Sequence, residues 1–420
     1  MKKILMIFVS TILFVACTTD ENFNYETVYD KETVSTNIRS YEEALEIANN
    51  ATKLLNGNVV TRTGFPRKVD ESKGVKYVTN RITRSGTPDT LLYIFNYEGE
   101  EGYAIVSAKK TTEGLLAVTE SGYYDPNIGT DNPGLEMFIN GAVEYVGAAA
   151  EPAAIVGPLP LTKYKSVIDT VSYINVPARV PVRWGQHGIY GKYCPNSISG
   201  CSNTAAGMAM SYFGHPSTLY INYDTTNPFT LTLNWDNIRN HIYGSYYPIC
   251  CSEETHYSIG HLLRQLGHLS NSNYLANQGT STITTNTHAT LASLGYTLSP
   301  IGNTINKMDA LEDGKLILMR GDDPSEGGHM WLVDGCYHCI ISEQGYFCSD
   351  GILWEPAGDP FITVQSYYHF NWGWDGCNNG MFNANIYRPS GYSSLDNGCS
   401  SSLDMNYNFG TSVKYFTIDL

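Results

Sequence analysis

At 420 residues with 42% hydrophobic side chains, the chain can form two or three domains with substantial cores. Its formal net charge of -15 runs through both halves without a basic stripe, which excludes a nucleic acid backbone as partner. A charged content of only 16%, with 39 glycines and 31 tyrosines, suits an exported protein with broad loops.

The first seventeen residues read as a targeting segment. Lys2 and Lys3 form a charged start, Ile4 to Val15 an apolar run, and Ala16 a small residue ahead of Cys17. The segment resembles a bacterial lipoprotein signal, although Phe14 stands where leucine is usual. The resemblance implies that Cys17 is lipidated, becomes the new N-terminus and anchors the protein to a membrane face. Residues 18–39 begin with the acidic run TTDENFNYE and read as a solvated tether, similar to those of surface-exposed lipoproteins. No later stretch reaches the roughly 18 apolar residues that cross a bilayer. Membrane contact is therefore expected through the lipid anchor only, with the protein at the bacterial cell envelope, as an outer-membrane or cell-surface lipoprotein that processing can release.

The first folded unit is expected over residues 40–146. Ser40 and Glu43 form a capping box, and Tyr41, Ala44, Leu45 and Ala48 follow at helical spacing. Leu91 to Tyr97 and Tyr103 to Ala108 are β-rich runs joined by a turn at Gly99 to Gly102, which predicts a hairpin. Asn132 and Pro133 open a second helix whose apolar face is Leu135, Phe138, Ile139, Ala142, Val143 and Val146. The unit is a small α+β domain without a catalytic cluster. Residues 147–175 begin with an Ala-, Pro- and Gly-rich run to Leu161 and read as a linker and processing region.

Residues 176–420 change character. Helices are expected from Cys201, over Ile259 to Leu269 and over Thr287 to Leu294. Strands dominate after Lys315, in KLILMRG, HMWLVDGCYHCII, FITVQSYYHFNW and SVKYFTIDL. Helices first and antiparallel strands after predict an α+β domain, with its active site where the two halves meet. Cys201 begins a helix of small residues, and His329 follows two glycines in GGHMWLVDG. Asn371 and Trp372 lie in HFNWGW. A thiol is mostly protonated at neutral pH, and it attacks a carbonyl well only when an imidazole and a helix N-terminus favour its thiolate. Taken singly, each residue also has a plain structural reading, Cys201 as a small core residue and His329 as a satisfied strand histidine.

Four blocks in order carry a more specific signal. RWGQHGIYGKYCP, GCSNTAAGMAMSYFGHP, GGHMWLVDG and HFNWGWDGCNNGMF resemble the successive blocks of the streptopain family of papain-like cysteine peptidases. The unit at 40–146 resembles that family's inhibitory propeptide domain. The resemblance implies a papain-like fold with a helical half and an antiparallel sheet half, and a cysteine endopeptidase made as a zymogen. It further implies Cys201 as nucleophile, His329 as general base and acid, and Asn371 and Trp372 as the residues that orient and shield the histidine. Gln186 is the candidate oxyanion donor. The expected partners are protein or peptide substrates and the chain's own N-terminal unit as inhibitor. Ser202, Asn203, Trp331 and Asp375 depart from the family's usual residues and bear on pocket shape.

With Cys17 and Cys201 set aside, eight of the ten cysteines remain, and an even number in an exported chain fits disulfides. Cys339 and Cys348 flank Gly345 in a way that allows pairing across a hairpin. The other pairings stay open. Cys336, His338 and Cys339 have no second ligand pair at zinc-finger spacing, and no phosphate loop or dinucleotide fingerprint occurs, so no cofactor or metal is implied. Two other readings use the same residues: a peptidase-like surface binding module without turnover, and a thiol acyl transferase that passes the acyl group to an amine.

Overall fold

Strand β1 (Phe23–Thr27) opens the part of the chain that the computed structural model describes, which is residues 23–27, 37–55, 67–71, 75–82, 88–149, 163–240, 252–275, 279–302, 305–323, 327–348, 355–356, 359–386 and 412–420. The signal segment and Cys17 lie outside these residues. Helix α1 (Tyr41–Ala51) starts at the expected capping box: Glu43 N–H donates to Ser40 Oγ at 3.2 Å, and Ser40 N–H to the Glu43 carboxylate at 2.8 Å. Its buried face, Ala44, Ile47, Ala48 and Ala51, lies on a meander of β2 (Val75–Ile82), β3 (Pro88–Asn96), β4 (Tyr103–Ser107) and β5 (Leu115–Thr119). Helix α2 (Pro133–Ala148) follows, with Asn132 Oδ1 accepting the Gly134 and Leu135 amides at 3.0 and 3.2 Å.

The expected linker over residues 147–175 is not open chain throughout. Its second half is β6 (Lys163–Val176), which pairs with a long strand of the following unit. The run KYKSVIDTVSYINV is rich in β-branched and aromatic residues, so it fits a sheet better than a solvated connection. β1, expected within a solvated tether, pairs antiparallel with β6.

The second unit begins with α3 (Cys201–Phe213), followed by the hairpin β7 (Thr218–Ile221) and β8 (Phe229–Thr232), then α4 (Trp235–Arg239) and α5 (Glu253–Leu269). The short pair β9 (Asn273–Leu275) and β10 (Gly279–Ser281), then α6 (Thr284–Ser293), β11 (Thr297–Leu298) and α7 (Lys307–Glu312), complete the helical half. Strands β12 (Leu316–Asp323), β13 (Gly327–Cys348), β14 (Glu355–Pro356), β15 (Phe361–Asn371), β16 (Gly380–Asn383) and β17 (Ser412–Asp419) form the sheet half. The architecture is α+β, as expected.

One sheet crosses both units, in the order β11-β17-β12-β13-β15-β16-β5-β4-β3-β2. The crossing point is β16 against β5, with Gly380 opposite Thr119, Met381 opposite Val118 and Phe382 opposite Ala117. The apolar face of α2 lies on this junction: Leu135, Phe138, Ile139, Ala142 and Val146 share a core with Trp331, Phe370, Trp372 and Phe382. A second core, under α3 and α5, draws only on residues from Val180 onward.

The hairpin expected at Gly345 does not exist. β13 runs unbroken through it, with Gly345 opposite Ser166 of β6. Nine residues of strand separate Cys339 from Cys348 by ~30 Å, whereas bridged Cα atoms lie within ~7 Å. A disulfide between these two is excluded.

Candidate active site

Cys201 is the first residue of α3. Its N-cap, Gly200, has φ +89° and supplies no side-chain cap to the amides at the helix's positive end. A Cβ on Gly200 would press on Thr280 at 3.0 Å, so the backbone reaches this position only without a side chain. The helix behind Cys201 is fully buried from Ser202 to Ser211. Cys201 itself is partly exposed.

His329 lies near the start of β13 and is almost fully buried. Its Nε2 is 2.9 Å from the Trp372 carbonyl oxygen. A carbonyl only accepts, so Nε2 carries a proton and Nδ1 remains for a second partner. The side chain that acts on the imidazole is the Cys201 thiol. Burial pushes the thiol's pKa up, but His329, the Met330 backbone amide and the charge of Arg320 outweigh it and hold it down to about 6. The site can therefore supply a thiolate near neutral pH.

An aromatic wall stands behind the imidazole. Trp331 stacks on it with ring centroids 6.3 Å apart, Trp374 meets it edge-on at 5.9 Å, and Trp372 is tilted at 6.4 Å. Trp372 is fixed in turn, its backbone N–H donating to Asn379 Oδ1 and its Nε1 to Asn378 O, both at 3.0 Å.

The structure thus brings Cys201, His329 and Trp372 together. Asn371 differs from expectation: its Nδ2 donates to Val182 O at 2.9 Å, and its Oδ1 accepts the Gly373 amide at 3.4 Å. This side chain ties β15 to the segment leading toward α3, and the Trp372 carbonyl is the imidazole's partner instead. Gln186 is buried, and its backbone carbonyl accepts the Ser199 amide at 2.9 Å, which fastens it two residues ahead of Cys201. Among the departures, Asn203 donates to Ser199 O at 2.8 Å and to Ser272 Oγ at 3.0 Å, a structural duty. Asp375, at φ 55°, lays its carboxylate over Gly185 beside Gln186.

Residues 184–382 match the model of the Peptidase C10 family, and residues 33–146 match that of the Spi protease inhibitor. Streptopain from Streptococcus pyogenes is 23% identical over 342 residues, spanning 71% of this chain and 75% of the relative. The chain is a streptopain-like protein with an N-terminal propeptide. A solved fragment of prointerpain A from Prevotella intermedia shares the fold at 19% identity and a TM-score of 0.50, over 82% of this chain and 98% of that one. The streptopain-like chain is accordingly a cysteine peptidase in zymogen form.

The propeptide reaches the site through the N-terminus of α2. A Cβ on Gly134 would come within 2.5 Å of the Trp372 ring and 2.8 Å of His329 Cδ2, so the propeptide backbone lies directly against the imidazole and its aromatic wall. Beside it, Trp374 Nε1 donates to Asp131 Oδ1 at 3.2 Å. Phe138 meets Phe382 edge-on at 4.9 Å. The sequence marks Asn132 and Pro133 as a helix start, but nothing in it tells where that start is aimed. Arg320, whose charge acts on Cys201, was also missed; it lies on β12 opposite Met330, and only strand pairing brings it to the site.

Proposed function

We propose that this chain is an exported cysteine endopeptidase, made as a zymogen, that hydrolyses peptide bonds of protein substrates through a Cys-His thioester mechanism. The observation that carries this reading is the placement of Cys201 at the start of α3 beside an imidazole whose tautomer the Trp372 carbonyl fixes, which holds the thiol's pKa down to about 6. Cys201 thiolate attacks the scissile carbonyl, and the Gln186 amide and the Cys201 backbone N–H hold the oxyanion. Each such donor contributes about 3 kcal/mol in the transition state. His329 gives its Nδ1 proton to the leaving amine as the tetrahedral intermediate collapses to a thioester. It then takes a proton from water, whose oxygen attacks the thioester; the acid product leaves and the thiolate returns.

In this reading the propeptide blocks the cleft by seating Gly134 against His329 and Trp372, and the activating cut falls ahead of β6, between about Gly147 and Thr162. Cys17 is lipidated and holds the zymogen at the bacterial envelope. The test is intact mass over time for residues 18–420 under mild reductant, beside Cys201→Ala. The expected result is self-conversion to a species starting ahead of β6, absent from the variant, followed by casein cleavage. No conversion and no casein cleavage, even after another protease cuts the connection, would favour the binding-module reading. A product carrying an added amine would favour acyl transfer.

A further inference from the structure

A charge cluster away from the cleft joins the two units, with Glu120, His369 and Asp334 buried and Arg183 half-exposed at its edge. Glu120, immediately after β5 of the propeptide, is only 10% exposed at its side chain. Its Oε2 is 2.7 Å from Arg183 and its Oε1 3.4 Å from His369 Nε2, both residues of the peptidase unit. On the other face of the imidazole, His369 Nδ1 is 2.5 Å from Asp334 Oδ1. Asp334 is fully buried, and it is the extra residue of a β-bulge between Val333 and Gly335, which aims its side chain at His369. Its second oxygen accepts the Arg179 and Val180 amides at 3.1 and 2.8 Å. The Glu120 backbone is held as well: its N–H donates to Asn379 O at 2.7 Å, and its carbonyl accepts from Arg67 at 2.9 Å.

We propose that His369 and Arg183 form a carboxylate socket on the peptidase unit, and that Glu120, delivered at the end of a strand paired with β16, is the key that keeps the propeptide seated over His329. Two negative groups, Glu120 and Asp334, face two positive ones, Arg183 and His369, with Arg67 at the rim. Without Glu120 the peptidase keeps Asp334 against two cations, so the socket is left with surplus positive charge. Buried ions of this kind are stable only when the set is complete. The ligand class follows from the same geometry: a carboxylate carried by an extended segment that adds to the β16 edge, as Leu115 to Glu120 does.

The electrostatics of the cluster support the arrangement. Burial opposes charge on His369, but Asp334 and Glu120 on its two sides raise its pKa to about 10. Burial likewise pushes Glu120 up, but His369, Arg183 and Arg67 hold it down to about 2. Glu120 is thus depressed when docked, so its contribution is present above its ordinary pKa of 4.5 and lost as pH falls from there toward 2.

This proposal rests on the zymogen reading for its meaning, but its test needs no turnover. The full chain carries Cys201→Ala and a site-specific protease sequence after Ala154, and the dissociation constant of the two pieces is measured after the cut. Glu120→Gln should weaken it by at least ~30-fold, and Glu120→Asp by less. Arg183→Gln should lose less than the full effect, and its combination with Glu120→Gln should fall short of the product of the two. At pH 4 the chain with Glu120 should bind about 4-fold more weakly than at pH 7, whereas the Glu120→Gln chain should show no such change. A Glu120→Gln chain that binds as tightly as its parent, or keeps the acid dependence, overturns the proposal. The peptidase piece lacks residue 120 and should melt at the same temperature from either chain, which separates lost docking from misfolding. Failure of the Cys201 chain to cleave casein would sink the peptidase reading and leave this result standing.

Discussion

The two residues that meet in the cleft belong to cores of different parentage. Cys201 packs on a core built only from residues of the peptidase unit, under α3 and α5. His329 leans on Trp331, Trp372 and Trp374, and this aromatic group belongs to a core that β3, β4, β5 and α2 of the propeptide complete. Strand β13 divides the two by simple alternation: Met330 and Leu332 face the first core, Trp331 and Val333 the second. Removing the propeptide therefore leaves the core under Cys201 whole and takes one wall from the core behind His329. In the proposed reading, latency acts through the histidine's half.

The largest expected effect tests the half that should stand alone. Cys201→Ala should lower turnover by ~10⁴-fold or more while leaving the melting temperature close to that of the parent; a residual rate near wild type would move the chemistry off this thiol. Next, Gln186→Ala should reduce kcat by ~10²-fold with KM little changed, and a loss of under ~3-fold would remove it from the oxyanion site. The comparison is sharpened by Gly134→Val, whose side chain must collide with Trp372 and His329. Propeptide docking should weaken by ~1–3 kcal/mol, seen as activity on a small peptide before any processing. The processed peptidase, which lacks residue 134, should be unchanged, and a fully latent Gly134→Val zymogen would contradict the account.

A pH profile reads the pair itself. The Cys201 thiol is held down to about 6, so the thiolate is present above that value and is lost below it. The kcat/KM of the processed enzyme should fall about tenfold per pH unit on the acid side of pH 6; an acid limb near pH 8 would show that the imidazole does not hold the thiolate. The smallest effect on rate is expected at Asn371. Asn371→Ala removes the bond to Val182 O, so the melting temperature should drop, as buried amides contribute about 1–3 kcal/mol. Since the imidazole's partner is the Trp372 carbonyl, kcat should stay within ~10-fold of the parent, and a loss of several thousandfold would restore Asn371 as the orienting group.

Local chemistry was largely legible in the chain. The Ser40 capping box, the Asn132 cap and the start of α3 at Cys201 all depend on residues within four positions of each other, and each forms as its sequence predicts. The four ordered blocks also led to Cys201, His329 and Trp372, which do meet. Contacts between distant segments were not legible, because a carbonyl or a strand edge has no residue signature. The Trp372 carbonyl serves His329 where the side chain of Asn371 was expected, and Gly345 continues a strand where a turn was read, because β6 lies beside it and pairs with it. The run over residues 163–176 is a strand for the same reason: β-propensity becomes structure only when a neighbouring edge accepts it. The sequence by itself determined the starts of α1, α2 and α3, though α5 and α6 begin six and three residues before the expected Ile259 and Thr287, and it determined the α+β division and the choice of Cys201 and His329 as a pair. Only the tertiary structure decided that one sheet joins the propeptide to the peptidase, that Gly134 meets the imidazole, and that Glu120, Arg183, His369 and Asp334 share one site, since those four residues lie 35 to 249 positions apart and only packing and electrostatics bring them together.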